Sequence, residues 1–323
     1  MKRLFVMLCM QVVLTLTCFA QAPKGDLQLK NINDTFLLPT RNLILNSDFN
    51  PQEALLQLFP GKHYRLVDGK NVNEMINWKC KTCMPKRYED VNGPGENDGF
   101  QDFPKAEGIA TRLLNVMDFK DSSGLQYKVM SFNHSVFHKE GFQGTRLVGG
   151  LLGLAKFVRT DQGWHLRMFT PVIKAYGDYS ACPAPKPLQI GADQYAFMLE
   201  HSSGMGDGPF HETYYLIAGI NGAYQQVMAV HDIQQLVDED KTGIASNWKS
   251  TYSVPASDKK YFRDIVVTTT GTAIATDAGG LPKGVDALLQ GKKKIHFVQE
   301  RRFVYKGPAK GYEQLPAQVR LAK

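Results

Sequence analysis

The feature that most constrains this chain is a succession of short β-type runs punctuated by turn residues, with no long amphipathic helix between them. Leu125 to Phe132 is one such run. Leu151 to Arg159 and Trp164 to Phe169 flank Thr160-Asp161-Gln162-Gly163, the pattern of a hairpin with its glycine in the left-handed position. Tyr195, Phe197 and Leu199 alternate with Ala196, Met198 and Glu200. Thr213 to Ala218 and Tyr224 to Val230 flank Asn221-Gly222, a strong two-residue hairpin signal. Tyr261 to Thr270 and Ile295 to Tyr305 complete the set. In the last run Ile295, Phe297, Phe303 and Tyr305 share one face, and Lys294, His296, Arg302 and Lys306 lie opposite. Arg301 falls on the apolar face, which predicts a bulge or an edge position there. The reading is a mainly β fold, an antiparallel meander laid out as a sandwich or a propeller, with a small helical N-terminal part. A doubly wound α/β fold is excluded because it needs helices between its strands.

The N-terminal region is where helix is predicted. Asn50-Pro51-Gln52-Glu53 before Ala54-Leu55-Leu56 reads as a helix start, with Asn50 as N-cap and Pro51 at the first helical position. Pro60-Gly61 stops it after two turns, and a second short helix is expected from Val72 to Trp78. Val91 to Lys105 is rich in Gly, Pro, Asn and Asp and reads as loop and internal boundary. The expected division is a signal peptide over 1–20, a mobile leader over 21–32, a small mixed α/β part over 33–90, a loop over 91–105 and a β-rich domain over 106–323.

Lys2 and Arg3, the apolar run Leu4 to Leu16 and the ending Cys18-Phe19-Ala20 have the form of an export signal, cleaved after Ala20. Thr15-Leu16-Thr17 is a poor match to the residues expected before a lipidated Cys18. No later stretch approaches the ~20 apolar residues of a membrane-spanning helix. The mature chain is therefore expected in the periplasm or outside the cell, with no transmembrane segment after signal removal. Removing the signal lowers the net charge from +7 to +5. The positive excess is local: Lys283 to Lys323 holds ten basic residues and three acidic ones. Such an end suits an anionic envelope component, a lipopolysaccharide or an acidic polysaccharide. The plainer alternative is an ordinary solvated strand face, which the interleaving of these charges with core-type residues favours.

The mature chain has three cysteines, Cys80, Cys83 and Cys182. Cys80-Lys81-Thr82-Cys83 invites a redox reading, but Pro85 would fall inside the helix that a thioredoxin-type thiol needs. Zinc would need a second half; His134 and His138 have the spacing but lie more than fifty residues away. In an oxidising compartment a structural disulfide is favoured, either Cys80 with Cys83 or one of them with Cys182.

His201-Ser202-Ser203-Gly204-Met205-Gly206-Asp207-Gly208-Pro209-Phe210-His211-Glu212 is the densest polar stretch on Gly-rich backbone. His201, Asp207 and His211 are its candidate acid–base groups, set against a plain flexible connection between strands. Glu212 opens no zinc motif, because position 215 is Tyr. Asp238 to Gly243 resembles the opening of a calcium loop, but Lys249 stands where a bidentate carboxylate is required. Asp90, Asn92, Asn97, Asp98 and Asp102 form a second oxygen-rich loop, for which a solvated turn is again the simpler reading. There is no Gly-x-Ser-x-Gly elbow, no dinucleotide fingerprint and no specific nucleic-acid signal. No metal site or cofactor is indicated. Two functions remain. One is an exported binding or envelope-associated protein acting through loops and the basic face of Lys294, His296, Arg302 and Lys306. The other is a secreted or periplasmic hydrolase acting on glycan or peptide, centred on His201, Asp207 and His211.

Overall fold

The computed structural model describes residues 27–93, 98–137, 147–203, 210–236 and 245–322. The export signal lies outside the described residues, as do positions 21–26 of the leader. The rest of the leader is held in place: Leu27 is buried, and β1 (Lys30–Ile32) pairs in parallel with Trp78 to Cys80.

Two large sheets carry the fold. The first contains β1, β2 (Ile44–Leu45), β3 (Lys62–Asp68) and β4 (Asn71–Cys80). It continues through β7 (Ile109–Lys120), β8 (Gln126–Val136), β9 (Gly150–Thr160), β10 (Gly163–Thr170) and β11 (Ala175–Tyr176). Between them β5 (Lys86–Glu89) and β6 (Phe100–Phe103) form a separate two-stranded ribbon. The second sheet begins with β12 (Lys186–Gly191), β13 (Gln194–Ser203), β14 (Phe210–Ile220), β15 (Ala223–Val230) and β16 (Gln234–Leu236). Its remaining strands are β17 (Asn247–Ser253), β18 (Ile265–Ile274), β19 (Lys294–Tyr305), β20 (Tyr312–Gln314) and β21 (Gln318–Leu321). Apart from β1, the pairings within both sheets are antiparallel, as the turn-punctuated pattern requires. The Asn221-Gly222 hairpin forms as expected, both residues taking positive φ (51° and 82°).

The one α-helix among the described residues, α1 (Pro51–Leu58), is capped as read: the Asn50 side chain accepts from the amides of Gln52 and Glu53. It buries Ala54, Leu55 and Leu58 against one face of the first sheet, with Phe59 stacked on Trp78 at 5.6 Å. The opposite face, through Val129, Leu152 and Leu154, meets Phe197, Leu199, Tyr215 and Ile217 of β13 and β14. The other side of those same two strands, through Met198, Tyr214 and Leu216, packs on Ile265, Val267 and Phe303. The result is a stack of layers, a sandwich arrangement in which β13 and β14 are buried on both faces.

Three local expectations are corrected. Val72 to Trp78 is not a helix but lies within β4. Asp68 faces Asn71 across a two-residue turn whose Gly69 has φ +55°, and that hairpin imposes a period of two. Ile76 and Trp78 thereby enter one core and Met75 a second cluster on the other face of the strand, while Val72 is exposed. The 91–105 segment is not all loop, because Phe100 to Phe103 pairs with Lys86 to Glu89 and Phe103 is buried. Arg301 causes no bulge: the β18–β19 register runs unbroken from Ile265–Phe303 to Ile274–Lys294. Its guanidinium instead donates to the carbonyl of His231 at 2.7 Å and to Thr269 Oγ1 at 3.4 Å.

The first core encloses a continuous chain of polar groups. Trp78 Nε1 donates to Thr111 Oγ1 (2.8 Å), Thr111 Oγ1 meets His134 Nδ1 (2.7 Å), and His134 Nε2 reaches the carbonyl of Pro171 (3.1 Å). The carbonyl can only accept, so Nε2 carries the ring proton and Nδ1 accepts from Thr111. Burial pushes His134 down to about 3, the Pro171 hydrogen bond opposing the shift. The unfolded chain takes up a proton near the ordinary value of 6.5 while the folded one does not. Stability from this group is therefore complete above that value and falls as the pH drops toward about 3, by about 1.4 kcal/mol per pH unit. Urea unfolding at pH 7, 5 and 4 should show this loss. His134→Gln, which keeps one donor and one acceptor, should be less stable at pH 7 but lose less stability on acidification.

Candidate functional site

Cys80 and Cys83 form a disulfide closing the end of β4, and Cys182 is free and buried. Burial pushes the Cys182 thiol well above its ordinary value. Cys80 and Cys83 thus act as a staple in this state. His134 is engaged in the core, and His138 lies outside the described residues. Among the described residues no group of three or more His, Cys, Asp or Glu is placed to hold a metal.

Of the trio expected to converge, only His201 is described to its side chain. It is buried, on the face of β13 that meets the first sheet, and its Nδ1 accepts from the amide of Gly177 at 2.9 Å. Nε2 therefore carries the proton and is buried without a partner. Burial lowers the His201 pKa, opposed by the charges of Asp178 and Asp90. Asp207 lies outside the described residues. The backbone of His211 sits opposite Ser203 and Gln235, and its side chain is outside them too. The Asp238 to Gly243 loop is likewise outside. In the other oxygen-rich loop Asp90 is buried and tied to protein, accepting from Gln101 Nε2 (2.7 Å) and the Gly149 amide (3.0 Å). Asn92 donates to the carbonyl of Gly177 at 2.8 Å. These groups position loops.

The acid–base geometry lies on the other face of β13 and β14. Along one edge of β14, β15 pairs from Tyr214 to Ile220 and β16 pairs at Phe210 and His211. β16 leads on to β17, so the second sheet forks: β12 to β15 form one branch, β17 to β21 the other, with apolar residues between. Tyr214 bridges the fork by donating its hydroxyl to the carbonyl of Ser250 at 3.0 Å, and its ring meets Tyr252 edge-on at 5.1 Å. A groove of about 280 Å³ opens there, lined by Lys186, Met198, Glu200, Ser202, Glu212 and Tyr252, with Pro183 and Ala184.

Strand register brings the two carboxyls together: Glu200 faces Tyr214, and Ser202 faces Glu212. They are diagonal neighbours on one face, the pairing that lets long side chains touch. Glu212 is raised above the usual carboxylate range, first by burial, then by the charge of Glu200 and a hydrogen bond with it. Lys249 opposes the shift. Gln234 donates to Glu212 Oε1 at 3.0 Å, and Glu212 Oε2 is buried with no donor facing it. Burial and a second carboxylate beside it both favour the protonated form of Glu212. Lys186 Nζ, 3.8 Å from Glu200, supplies a counter-charge.

Sequence reading included Glu212 in the polar stretch but centred the site on His201, Asp207 and His211, and did not single out Glu200. The usable signal was Glu200 ending a face that begins with Ala196 and Met198, a carboxylate where the alternation calls for an apolar residue. The predicted basic residues Lys294, His296, Arg302 and Lys306 are all exposed, on or just past β19. Arg302 is paired with Asp264 at 3.6 Å, and Lys306 lies beyond the strand end.

Comparison with protein families, curated proteins and solved structures finds no match to this chain. Its chemistry is therefore argued from its own geometry. For a chain lacking the first twenty residues, a thiol reagent should find no reactive cysteine in the native state and one in urea. Rapid native labelling would contradict the burial of Cys182.

Proposed function

We propose that this is an exported protein whose fork groove catalyses acid–base hydrolysis, with a peptide or related amide as substrate. The observation that carries this reading is the carboxyl pair, two glutamates lining one groove, with the pKa of Glu212 raised by burial and by Glu200. Glycoside hydrolysis needs its carboxyls at least ~5 Å apart. Diagonal neighbours that act directly on one another suit amide hydrolysis, in which one carboxylate activates water and its protonated partner acts as acid.

In this scheme water enters between the carboxyls and the substrate carbonyl. The ionised carboxylate takes a proton from the water as its oxygen bonds to the carbonyl carbon, and the protonated carboxyl gives its proton to the carbonyl oxygen. Collapse of the adduct breaks the C–N bond, the amine leaves with a proton, and the pair returns to its one-proton state. Glu212 is the acid and Glu200 the base. Gln234 fixes Glu212, and Tyr252 and Met198 offer an apolar wall to a side chain. The export reading supports a substrate outside the cytoplasm, and the Cys80–Cys83 disulfide accords with an oxidising compartment. The second reading, a binding protein of the envelope without turnover, is favoured by the basic strand face.

A labelled unfolded protein incubated with the chain from pH 3 to 8 tests the proposal. Cleavage is expected, falling as pH rises through the raised Glu212 value and its proton is lost. Glu212→Gln and Glu200→Gln should each lose about a hundredfold or more in rate. Absence of cleavage across the range, or unchanged rates in both variants, would defeat it. Cleavage of glycans with peptides untouched would overturn the argument from carboxyl separation.

A further inference from the structure

We infer that the outer face of the β17–β18–β19–β21 branch is a docking surface for a linear anionic polysaccharide, bordering the groove at Lys249. Strand register shows which side chains share this face, something the sequence of β19 alone does not reveal. One row runs Lys249–Thr270–Val298–Arg320, the next Asn247–Thr272–His296, and beyond it Lys294 lies beside Ile274. On the other side come Thr251–Thr268–Glu300–Gln318 and Ser253–Val266–Arg302. Lys249, Lys294, His296, Arg302 and Arg320 are all exposed. The acidic groups near them are Glu212, on which Lys249 acts, Glu300, half-buried on the face, and Asp264, which already binds Arg302 and Lys259. Lys306, past the strand end, is not part of this array.

Strands stand about 4.8 Å apart and same-face residues about 6.8 Å apart. Lys249 and Arg320, three strands apart, are thus separated by roughly 14 Å, and Lys294 lies two rows away. The Debye length is about 8 Å at physiological ionic strength, so an anionic group between neighbouring cations feels more than one of them. The side chains among the cations are Thr251, Thr270, Thr272, Asn247 and Gln318, hydroxyls and amides able to bond sugar hydroxyls. Exposed apolar anchors for a bilayer are lacking on these described rows: Val266 is buried, Val298 is half-buried, and Leu321 pairs with Phe297 and points to the other side. Distributed cations on a flat polar face fit an extended polyanion with hydroxyls between its charges.

Titration of the full chain with polygalacturonate at 50 and 200 mM salt tests this, with phosphatidylglycerol vesicles and duplex DNA as rival ligands. The expected result is polygalacturonate binding that weakens with salt. It should drop by about tenfold or more in the triple variant K249E/K294E/R320E and stay unchanged in K62E/K70E, which alters exposed lysines elsewhere. Thermal unfolding of the triple variant establishes that it is folded. Equal affinity in the triple variant would overturn the proposal. So would binding to vesicles or DNA with none to polygalacturonate, or binding to no polyanion.

Discussion

The structure depends on one constraint: β13 and β14 are buried on both faces. Phe197, Leu199, Tyr215 and Ile217 close one core, and Met198, Tyr214 and Leu216 close the next. Two strands with no solvent face tie the first sheet to the second, and their apolar area removed from water supplies much of the driving force for stacking the layers. The same constraint locates the polar groups. Where β14 changes partner from β15 to β16, the two branches part and the alternation that gave Met198 and Leu216 gives Glu200 and Glu212 instead. The groove is thus the place where the buried layer reaches water.

Some buried polar groups are satisfied in series. Trp78, Thr111 and His134 hand hydrogen bonds from one to the next until the Pro171 carbonyl ends the chain, and Arg301 is held by His231 and Thr269. Groups satisfied in this way fix the core, since removing one partner leaves another buried and unmet. Glu212 differs: one oxygen accepts from Gln234, the other is buried without a partner, and burial and the charge of Glu200 both raise its pKa. Register brings this pair of acids together in a groove with a lysine on its rim, where solvent and a ligand can reach them.

Local signals were legible in the sequence wherever a few adjacent residues decide the outcome. Asn50-Pro51 and Pro60-Gly61 bounded α1, Asn221-Gly222 made its hairpin, and Cys80 and Cys83 paired. The failures share a cause. Val72 to Trp78 has apolar spacing compatible with a helix turn, and only pairing with β3 on one edge and β7 on the other makes it a strand. Arg301 read as a defect because its partners, His231 and Thr269, come from other strands. The site was less legible still. His201, Asp207 and His211 are close in sequence, which suggested convergence, yet His201 turns into the core between the sheets. Glu200 and Glu212 carry no local motif, and their contact exists only once β13 and β14 are in register. The basic face was half visible: β19 showed its alternation, whereas Lys249 and Arg320 join it through pairing with β18 and β19.

The proposed chemistry depends on Glu212 being held protonated beside Glu200. Carbon-detected NMR titration of the Glu212 carboxyl, in the full chain and in Glu200→Gln, measures it directly. The prediction is that Glu212 titrates above the usual carboxylate range and moves down when Glu200 loses its charge. Titration of Glu212 at the ordinary glutamate value, unaffected by Glu200→Gln, would contradict the account.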